Sequence, residues 1–175
     1  MAEETPTPSP NIQPGDHLAY MRLALFLAAK SPPKPTNYCV GAVVVDVATN
    51  ELLATGYTLE LPGNTHAEQC CFEKLATKYA VATTDLGRAL ADEVALYTTM
   101  EPCSQRSPGN LPCVDRILGI GKRIKTVYIG VLEPTKFAIN TGKQKLQDAG
   151  IEIKHVGGLE KEILEVATAG HEKSD

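Results

Sequence analysis

The chain has 175 residues, 43% of them hydrophobic, and a formal net charge of -4 at pH 7. This length suits one domain with one core. The acidic balance disfavours a protein that holds a long nucleic acid, because such proteins usually show a basic face, and no apolar run is long enough to span a membrane as a helix.

The two ends of the chain differ in composition from the rest. Residues 1–15 are acidic and proline-rich and lack the basic and apolar regions of a signal peptide, so we expect a disordered tail there. We expect one domain over residues 16–170 and a flexible C-terminus over residues 171–175. The five cysteines are an odd number, which favours a reducing compartment over a disulfide framework. A cytoplasmic location is expected, with the nucleus as an alternative.

Hydrophobic periodicity and turn residues predict a helix, a β-hairpin, and then alternating helices and strands. In chain order we expect a helix over 16–30, strands over 40–45 and 52–57, a helix over 66–79, a polar connection with a helical turn over 82–92, a strand over 94–99, a helix over 112–118 that Gly119 ends, a strand over 124–130, a helix over 143–149, a strand over 151–154 and a helix over 159–169. This order predicts an α/β fold: a three-layer α/β/α sandwich around a mixed five-stranded sheet.

Residues that can bind zinc fall at the ends of these predicted elements. His66 and Glu68 lie in the first turn of a helix, which Thr65 is expected to cap in a capping box with Glu68. Cys103 follows a strand, and Cys113 lies at the start of another helix. One imidazole and two thiolates are a donor set for zinc, and a catalytic zinc site keeps three protein ligands with the fourth position open for water.

Glu68 is the residue that distinguishes a catalytic site from a structural one. It stands two residues from His66, where a carboxylate can take a proton from an activated water, protonate a ring nitrogen and deliver a proton to departing ammonia. The residue order matches that of zinc-dependent nucleobase deaminases. It departs from that pattern in one respect, because nine residues separate Cys103 from Cys113 where the general pattern has two.

Each part of the pattern also has a plainer interpretation. His66-Ala67-Glu68 is only a three-residue match, and Cys103 and Cys113 could be ordinary buried thiols. A structural zinc site with four ligands is a further alternative, with Cys70 or Cys71 as the fourth. A non-catalytic, zinc-stabilised binding module would not need Glu68, so the presence of that residue favours an enzyme.

Four segments of the chain resemble the cytidine-deaminase-like superfamily, and within it the pyrimidine deaminases of riboflavin biosynthesis. The segments are Thr36-Asn37-Tyr38-Cys39-Val40-Gly41-Ala42-Val43-Val44, Gly63-Asn64-Thr65-His66-Ala67-Glu68, Tyr97-Thr98-Thr99-Met100-Glu101-Pro102-Cys103-Ser104 and Leu111-Pro112-Cys113. The resemblance covers nearly all of residues 18–166. Bacterial members have a shorter loop between the two cysteines and a fused reductase domain, for which this chain has no room. The resemblance is therefore to the stand-alone fungal branch, whose deaminase acts after the reduction step.

The resemblance implies zinc-dependent hydrolytic deamination of 2,5-diamino-6-ribitylamino-4(3H)-pyrimidinone 5'-phosphate to 5-amino-6-ribitylaminouracil 5'-phosphate and ammonia. It implies one catalytic zinc ion held by His66, Cys103 and Cys113, with Glu68 as the proton carrier, and a homodimer. The alternatives are a deaminase of a free nucleoside, nucleotide or guanine, for which a short C-x-x-C is expected, and a tRNA-editing deaminase, for which a basic face is expected.

Six residues are predicted to bind the substrate: Asn37, Ala67, Ser104, Arg106, Asn110 and Glu133. The resemblance implies Asn37, whose alternative role is that of a turn residue. It also implies an acidic segment at Glu133, at the carboxyl end of a strand, with Lys136 nearby. Arg106 suits a phosphate bidentately, and its alternative is an exposed surface arginine.

Overall fold

The computed structural model describes residues 11–106, 109–134 and 141–172. The elements are α1 (His17–Ala28), β1 (Gly41–Asp46), β2 (Glu51–Tyr57), α2 (Ala67–Tyr79), a 3-10 turn (Thr83–Asp85), α3 (Leu86–Ala89), β3 (Val94–Met100), α4 (Cys113–Ile120), β4 (Ile124–Val131), α5 (Gly142–Asp148), β5 (Glu152–His155) and α6 (Glu160–Ala167). The predicted helices and strands are confirmed to within a few residues at their ends. The predicted polar connection contains the 3-10 turn and α3.

The described strands form one sheet in the order β2-β1-β3-β4-β5. β1 is antiparallel to β2 and β3, whereas β3, β4 and β5 are parallel to one another. The mixed five-stranded sheet is therefore confirmed for the described residues. Because of these directions, the segments before β1 and after β2, β3 and β4 all lie at the same edge of the sheet, where ligands collect in α/β folds.

The side chains of the central strands alternate between two hydrophobic cores. Ala42 and Val44 belong to one core, and Val43 and Val45 belong to the other. The first core is covered by α2, α3, α4 and α5, and the second by α1 and α6. The three-layer α/β/α sandwich is confirmed, because each face of the sheet packs against its own helices. None of the described helices has both the length and the apolar composition that crossing a membrane requires.

The start of α2 differs from the prediction. His66 is the N-cap, and the side chain of Gln69, not of Glu68, accepts the backbone N–H of His66 at 3.3 Å. The hydroxyl of Thr65 donates instead to the carbonyl oxygen of Leu61 at 2.9 Å. Since that hydroxyl is engaged by the preceding loop, the cap moves on by one residue, and Glu68 is left available for another role.

The end of α4 also differs from the prediction. The helix passes through Gly119 and continues to Ile120. It ends at Gly121, whose φ of +82° lies in the left-handed region that favours glycine. The choice between the two glycines is therefore made by backbone conformation, which the sequence pattern does not show.

The ends of the expected domain lie close to the described boundaries of the chain. Residues 1–10 and 173–175 lie outside the described residues. Ile12, within the expected tail, contacts the second core, and its carbonyl oxygen accepts the side-chain amide of Asn50 at 2.7 Å. His171, within the segment expected to be flexible, is held by a hydrogen bond to Asn37. The domain boundaries themselves stay a prediction.

Candidate active site

The loops at the carboxyl ends of β3 and β4 meet the start of α2 and the loop before β1 around one cavity. The cavity has a volume of about 220 Å³. Its lining includes residues 36–38, residues 66–68, Cys103, Gln105 and Glu133.

His66, Cys103 and Cys113 converge beside this cavity. The Nδ1 atom of His66 lies 3.5 Å from the Sγ atom of each cysteine, and all three possible ligand atoms lie within 4.8 Å of one another. A tetrahedral zinc ion with its usual bond lengths would separate a nitrogen from a sulfur ligand by about 3.5 Å. The donor set and its spacing therefore fit a single zinc ion.

Two helix starts and one strand end position these three side chains. His66 caps α2, Cys113 is the first residue of α4, and Cys103 follows β3. The backbone N–H of Cys113 donates to the Sγ atom of Cys103 at 3.4 Å, and the N–H of Val114 donates to the Cys103 carbonyl at 3.1 Å. Because the amides of a helix start favour negative charge, they stabilise a thiolate at Cys103.

The two thiols share a proton unequally. A hydrogen bond from the thiol of Cys113 lowers the pKa of Cys103 to about 4 against the opposing effect of burial, and the ring of His66 adds to the decrease. The same hydrogen bond, together with burial, raises the pKa of Cys113. The arrangement therefore favours the thiolate at Cys103 and the thiol at Cys113, and a metal that binds both sulfurs must displace the remaining proton.

Glu68 lies in the wall of the cavity, and its side chain is buried, with 4% of the residue exposed. The hydroxyl of Thr98 donates to its Oε1 atom at 3.0 Å. Burial raises the pKa of the Glu68 carboxyl, and the neighbouring His66 opposes that shift. A carboxyl with a raised pKa beside a possible metal site is suited to accept and release a proton.

The remaining predicted residues divide into two groups. Asn37, Ala67 and Glu133 line the cavity together with Glu68. The Oγ atom of Ser104 accepts the backbone N–H of Thr141 at 3.2 Å instead. Neither Ser104 nor Asn110 is among the lining residues of the described cavity, and Asn110 is exposed. Lys136 lies outside the described residues.

Arg106 has protein partners on three sides. Its guanidinium donates to the Oε1 atom of Gln69 at 3.0 Å, to the carbonyl of Asn64 at 2.6 Å and to the carbonyl of Leu111 at 3.2 Å. Arg106 does not line the cavity. Its contacts therefore connect the start of α2 to the segment before α4. Two of the three candidate zinc ligands lie there, since His66 caps α2 and Cys113 is the first residue of α4.

Some residues of the site carry no sequence signal of their own. Thr98 resembles any threonine in a buried strand, and only its position near the end of β3 hints at a role. Tyr38 and Gln105 line the cavity, and each stands next to a residue that was predicted. Cys70 is fully buried and does not belong to the metal-binding group found among the described residues, so its geometry does not support a four-ligand site.

Residues 14–131 match the family described as the cytidine and deoxycytidylate deaminase zinc-binding region. The diaminohydroxyphosphoribosylamino-pyrimidine deaminase of Schizosaccharomyces pombe is 38% identical over 160 residues, which cover 91% of this chain and 37% of that protein. The riboflavin biosynthesis protein RibD of Aquifex aeolicus is 37% identical over 153 residues, which cover 84% of this chain and 36% of that protein. The chain thus spans a little over a third of the length of these curated relatives.

A solved structure of the Aspergillus oryzae Rib2 deaminase, a C-terminal deletion mutant, superposes with a TM-score of 0.81 at 44% sequence identity, over 89% of this chain and 92% of that one. The likeness confirms the expected cytidine-deaminase-like fold. The match of the family model over residues 14–131 contains all three candidate zinc ligands and Glu68. By its sequence and its fold, this chain belongs to the zinc-binding family of cytidine and deoxycytidylate deaminases.

Proposed function

We propose that this chain is a zinc-dependent aminohydrolase. Its substrate is 2,5-diamino-6-ribitylamino-4(3H)-pyrimidinone 5'-phosphate, and its products are 5-amino-6-ribitylaminouracil 5'-phosphate and ammonia. The observation that carries this proposal is the convergence of His66, Cys103 and Cys113 beside the cavity that the buried carboxyl of Glu68 lines. Deamination of a diaminopyrimidine phosphate is supported by the name of the Schizosaccharomyces pombe relative, and the choice of the ribitylamino compound is supported by the Aspergillus oryzae Rib2 structure, which is a complex with DARIPP.

The proposed chemistry replaces an exocyclic amine of the pyrimidine with oxygen. Zinc held by the imidazole and the two thiolates supplies an activated water as the nucleophile at neutral pH. Glu68 would take one proton from that water as its oxygen bonds to the ring carbon, and would pass this proton to a ring nitrogen. It would then carry the remaining proton of the added oxygen to the amine, which leaves a carbonyl on the ring. The carbon–nitrogen bond breaks with its electron pair on nitrogen, so ammonia leaves. The burial that raises the pKa of Glu68 makes its protonated form accessible for these transfers.

The proposed orientation of the pyrimidine uses two residues of the cavity wall. The side-chain amide of Asn37 offers both a donor and an acceptor, and the carboxylate of Glu133 accepts hydrogen bonds from an amine. Both residues line the cavity with Glu68. The backbone N–H of Glu133 donates to the Oε1 atom of Glu101 at 3.2 Å, which ties the loop after β4 to the loop after β3.

Substrate binding by Ser104, Arg106 and Asn110 stays a prediction, with the phosphate assigned to Arg106. These residues lie in the loop that contributes Gln105 to the cavity wall. Arg106 would have to leave its three protein acceptors before it could bind a phosphate bidentately. Self-association as a homodimer and a cytoplasmic location likewise stay predictions, and the mass in sedimentation equilibrium tests the first of them.

The test is ammonia release by the zinc-loaded protein. The ribitylamino and ribosylamino pyrimidine phosphates are offered beside cytidine, deoxycytidylate and guanine. We expect turnover of the ribitylamino compound alone. A preference for the ribosylamino compound would keep the reaction and reverse the order of reduction and deamination. Turnover of a nucleoside, nucleotide or guanine instead would overturn the substrate, and no turnover with zinc bound would favour a non-catalytic module or a tRNA substrate.

A further inference from the structure

We propose that His171 is a positioning residue for the cavity wall formed by residues 36–38. The inference rests on the proposed function, in which this wall contacts the substrate. The Nε2 atom of His171 lies 2.8 Å from the carbonyl oxygen of Asn37. The ring of His171 also lies against the ring of Tyr38, with centroids 4.9 Å apart and planes inclined by 48°. One side chain thus holds two consecutive residues of the wall.

The hydrogen bond defines the donor on His171. A carbonyl oxygen can only accept, so Nε2 of His171 carries the hydrogen and donates to Asn37. The tilted contact with Tyr38 is one of the favourable arrangements of two aromatic rings. The two contacts use different parts of the imidazole, its N–H and its face, so substitutions can remove one and leave the other.

The end of α6 and the segment after it make two more contacts with the same loop. The backbone N–H of Cys39 donates to the carbonyl oxygen of Ala167 at 3.0 Å. Gly170 lies so close to the loop that a Cβ atom there would be 2.3 Å from the backbone nitrogen of Lys34. Residues 167–171 therefore form a continuous support behind the loop.

Residues 32–38, which form this loop, have little backbone hydrogen bonding among themselves. Pro32, Pro33 and Pro35 have no backbone N–H to donate. Within the loop the N–H of Asn37 donates to the carbonyl of Lys34 across 3.4 Å, which is long for such a bond. Because its internal bonding is weak, the position of the loop depends on contacts from outside it. Tyr38 packs against the second core, the N–H of Val40 donates to Oγ1 of Thr58 at 3.0 Å, and the segment behind the loop supplies the contacts to Asn37 and Cys39.

The wall and the metal-binding group belong to different segments. Asn37 lines the cavity from the loop before β1, whereas the candidate zinc ligands lie at the starts of α2 and α4 and in the loop after β3. Displacing the wall should weaken substrate binding and leave the zinc site intact. His171 is therefore expected to act on KM more than on kcat.

Three substitutions separate the two contacts. His171→Phe keeps the ring and removes the donor, His171→Gln keeps a donor and removes the ring, and His171→Ala removes both. His155→Phe is the control, because Nε2 of His155 also lies against a backbone carbonyl, that of Gly130 at 2.9 Å. Its second partner is Oε1 of Glu160 at 3.2 Å, and neither contact involves residues 36–38. We expect KM to rise by about threefold to tenfold in His171→Phe, the range that loss of one hydrogen bond gives, to rise further in His171→Ala, and to be partly restored in His171→Gln. Zinc content and kcat stay near those of the unsubstituted chain.

A second readout does not depend on activity. Hydrogen exchange of the backbone amides of residues 36–39, in zinc-loaded protein without substrate, should become faster in His171→Phe and His171→Ala and stay unchanged in His155→Phe. Unchanged exchange and unchanged KM in both His171 variants would overturn the inference. A fall in kcat or zinc content equal in all variants, the control included, would also overturn it, since it would mean a general loss of structure. If the unsubstituted chain releases no ammonia from the ribitylamino compound, the proposed function fails, and the exchange experiment still decides whether His171 holds the loop.

Discussion

The hydroxyl of Thr98 donates to Oε1 of Glu68 across 3.0 Å, with both residues buried. Thr98 stands near the end of β3, in the middle of the sheet, and Glu68 stands in the first turn of α2. The hydrogen bond therefore orients the proposed proton carrier from the central strand of the sheet. A second acceptor, the carbonyl of Met100, lies 2.9 Å from the same hydroxyl. The single hydroxyl hydrogen can therefore be donated either to the carboxylate of Glu68 or to the carbonyl of Met100.

Thr98→Val should lower kcat by about tenfold without loss of zinc, because the carboxylate of Glu68 loses its orienting donor. Thr99→Val is the matched control. Thr99 is equally buried, but its hydroxyl accepts the backbone N–H of Gly41 at 3.2 Å and has no part in the cavity. Equal losses of kcat in the two variants, measured at saturating substrate, would show that the effect is general destabilisation.

Glu68→Gln should abolish turnover by at least about a hundredfold, because an amide cannot carry protons between water, ring nitrogen and amine. The variant keeps the shape of the side chain and a partner for Thr98, so zinc content and the melting temperature should stay close to those of the unsubstituted chain. Steady-state ammonia release and metal analysis on the same preparation test this. Retained activity would show that another group moves the proton.

His66→Ala and Cys103→Ser should each lose bound zinc, because two protein ligands hold zinc poorly. Metal analysis after dialysis should give one zinc per unsubstituted chain and almost none in either variant, and a chelator should lower the melting temperature of the unsubstituted chain alone. Cys70→Ala should keep its zinc, because Cys70 lies outside the metal-binding group of the described residues. Loss of zinc from Cys70→Ala would instead support a structural zinc site with Cys70 as its fourth ligand.

Arg106→Ala should weaken zinc binding by about tenfold to a hundredfold, because Arg106 joins the segments around His66 and Cys113. Arg116→Ala is the control, since Nε of Arg116 donates to the same carbonyl of Leu111 at 3.3 Å. Competition with a chromophoric chelator measures the affinity. Unchanged zinc affinity with KM raised only for the phosphorylated substrate would instead support the phosphate role predicted for Arg106.

Gly56→Ala should destabilise the protein by about 1–3 kcal/mol and disturb the start of α2, because a Cβ atom at Gly56 would lie 2.3 Å from the carbonyl oxygen of Ala67. Gly119→Ala is the control, since a Cβ atom there meets nothing within 4 Å, and alanine favours the helix. Urea unfolding of the two variants compares their free energies. A neutral Gly56→Ala would mean that β2 and α2 can separate without cost.

Local sequence patterns predict the layered α/β fold, the candidate zinc ligands and the proposed proton carrier. These features were predictable because each depends on residues that are close together in the sequence. The strands show an alternation of apolar residues, and the site shows His66-Ala67-Glu68 and the two proline–cysteine pairs. The family resemblance added Asn37 and Glu133, which do line the cavity.

The side chains that support the site could not be predicted from local patterns, because long-range packing selects them. Thr98 lies 30 residues from Glu68, and His171 lies 134 residues from Asn37. Contacts over such separations leave no period and no motif in the chain. The partners of Arg106 could not be predicted for the same reason. A guanidinium group can bind a phosphate or backbone carbonyls, and the positions of the surrounding loops determine which of these it contacts. Residue types thus set the chemistry that the chain can perform, whereas long-range packing sets which of those residues reach the cavity.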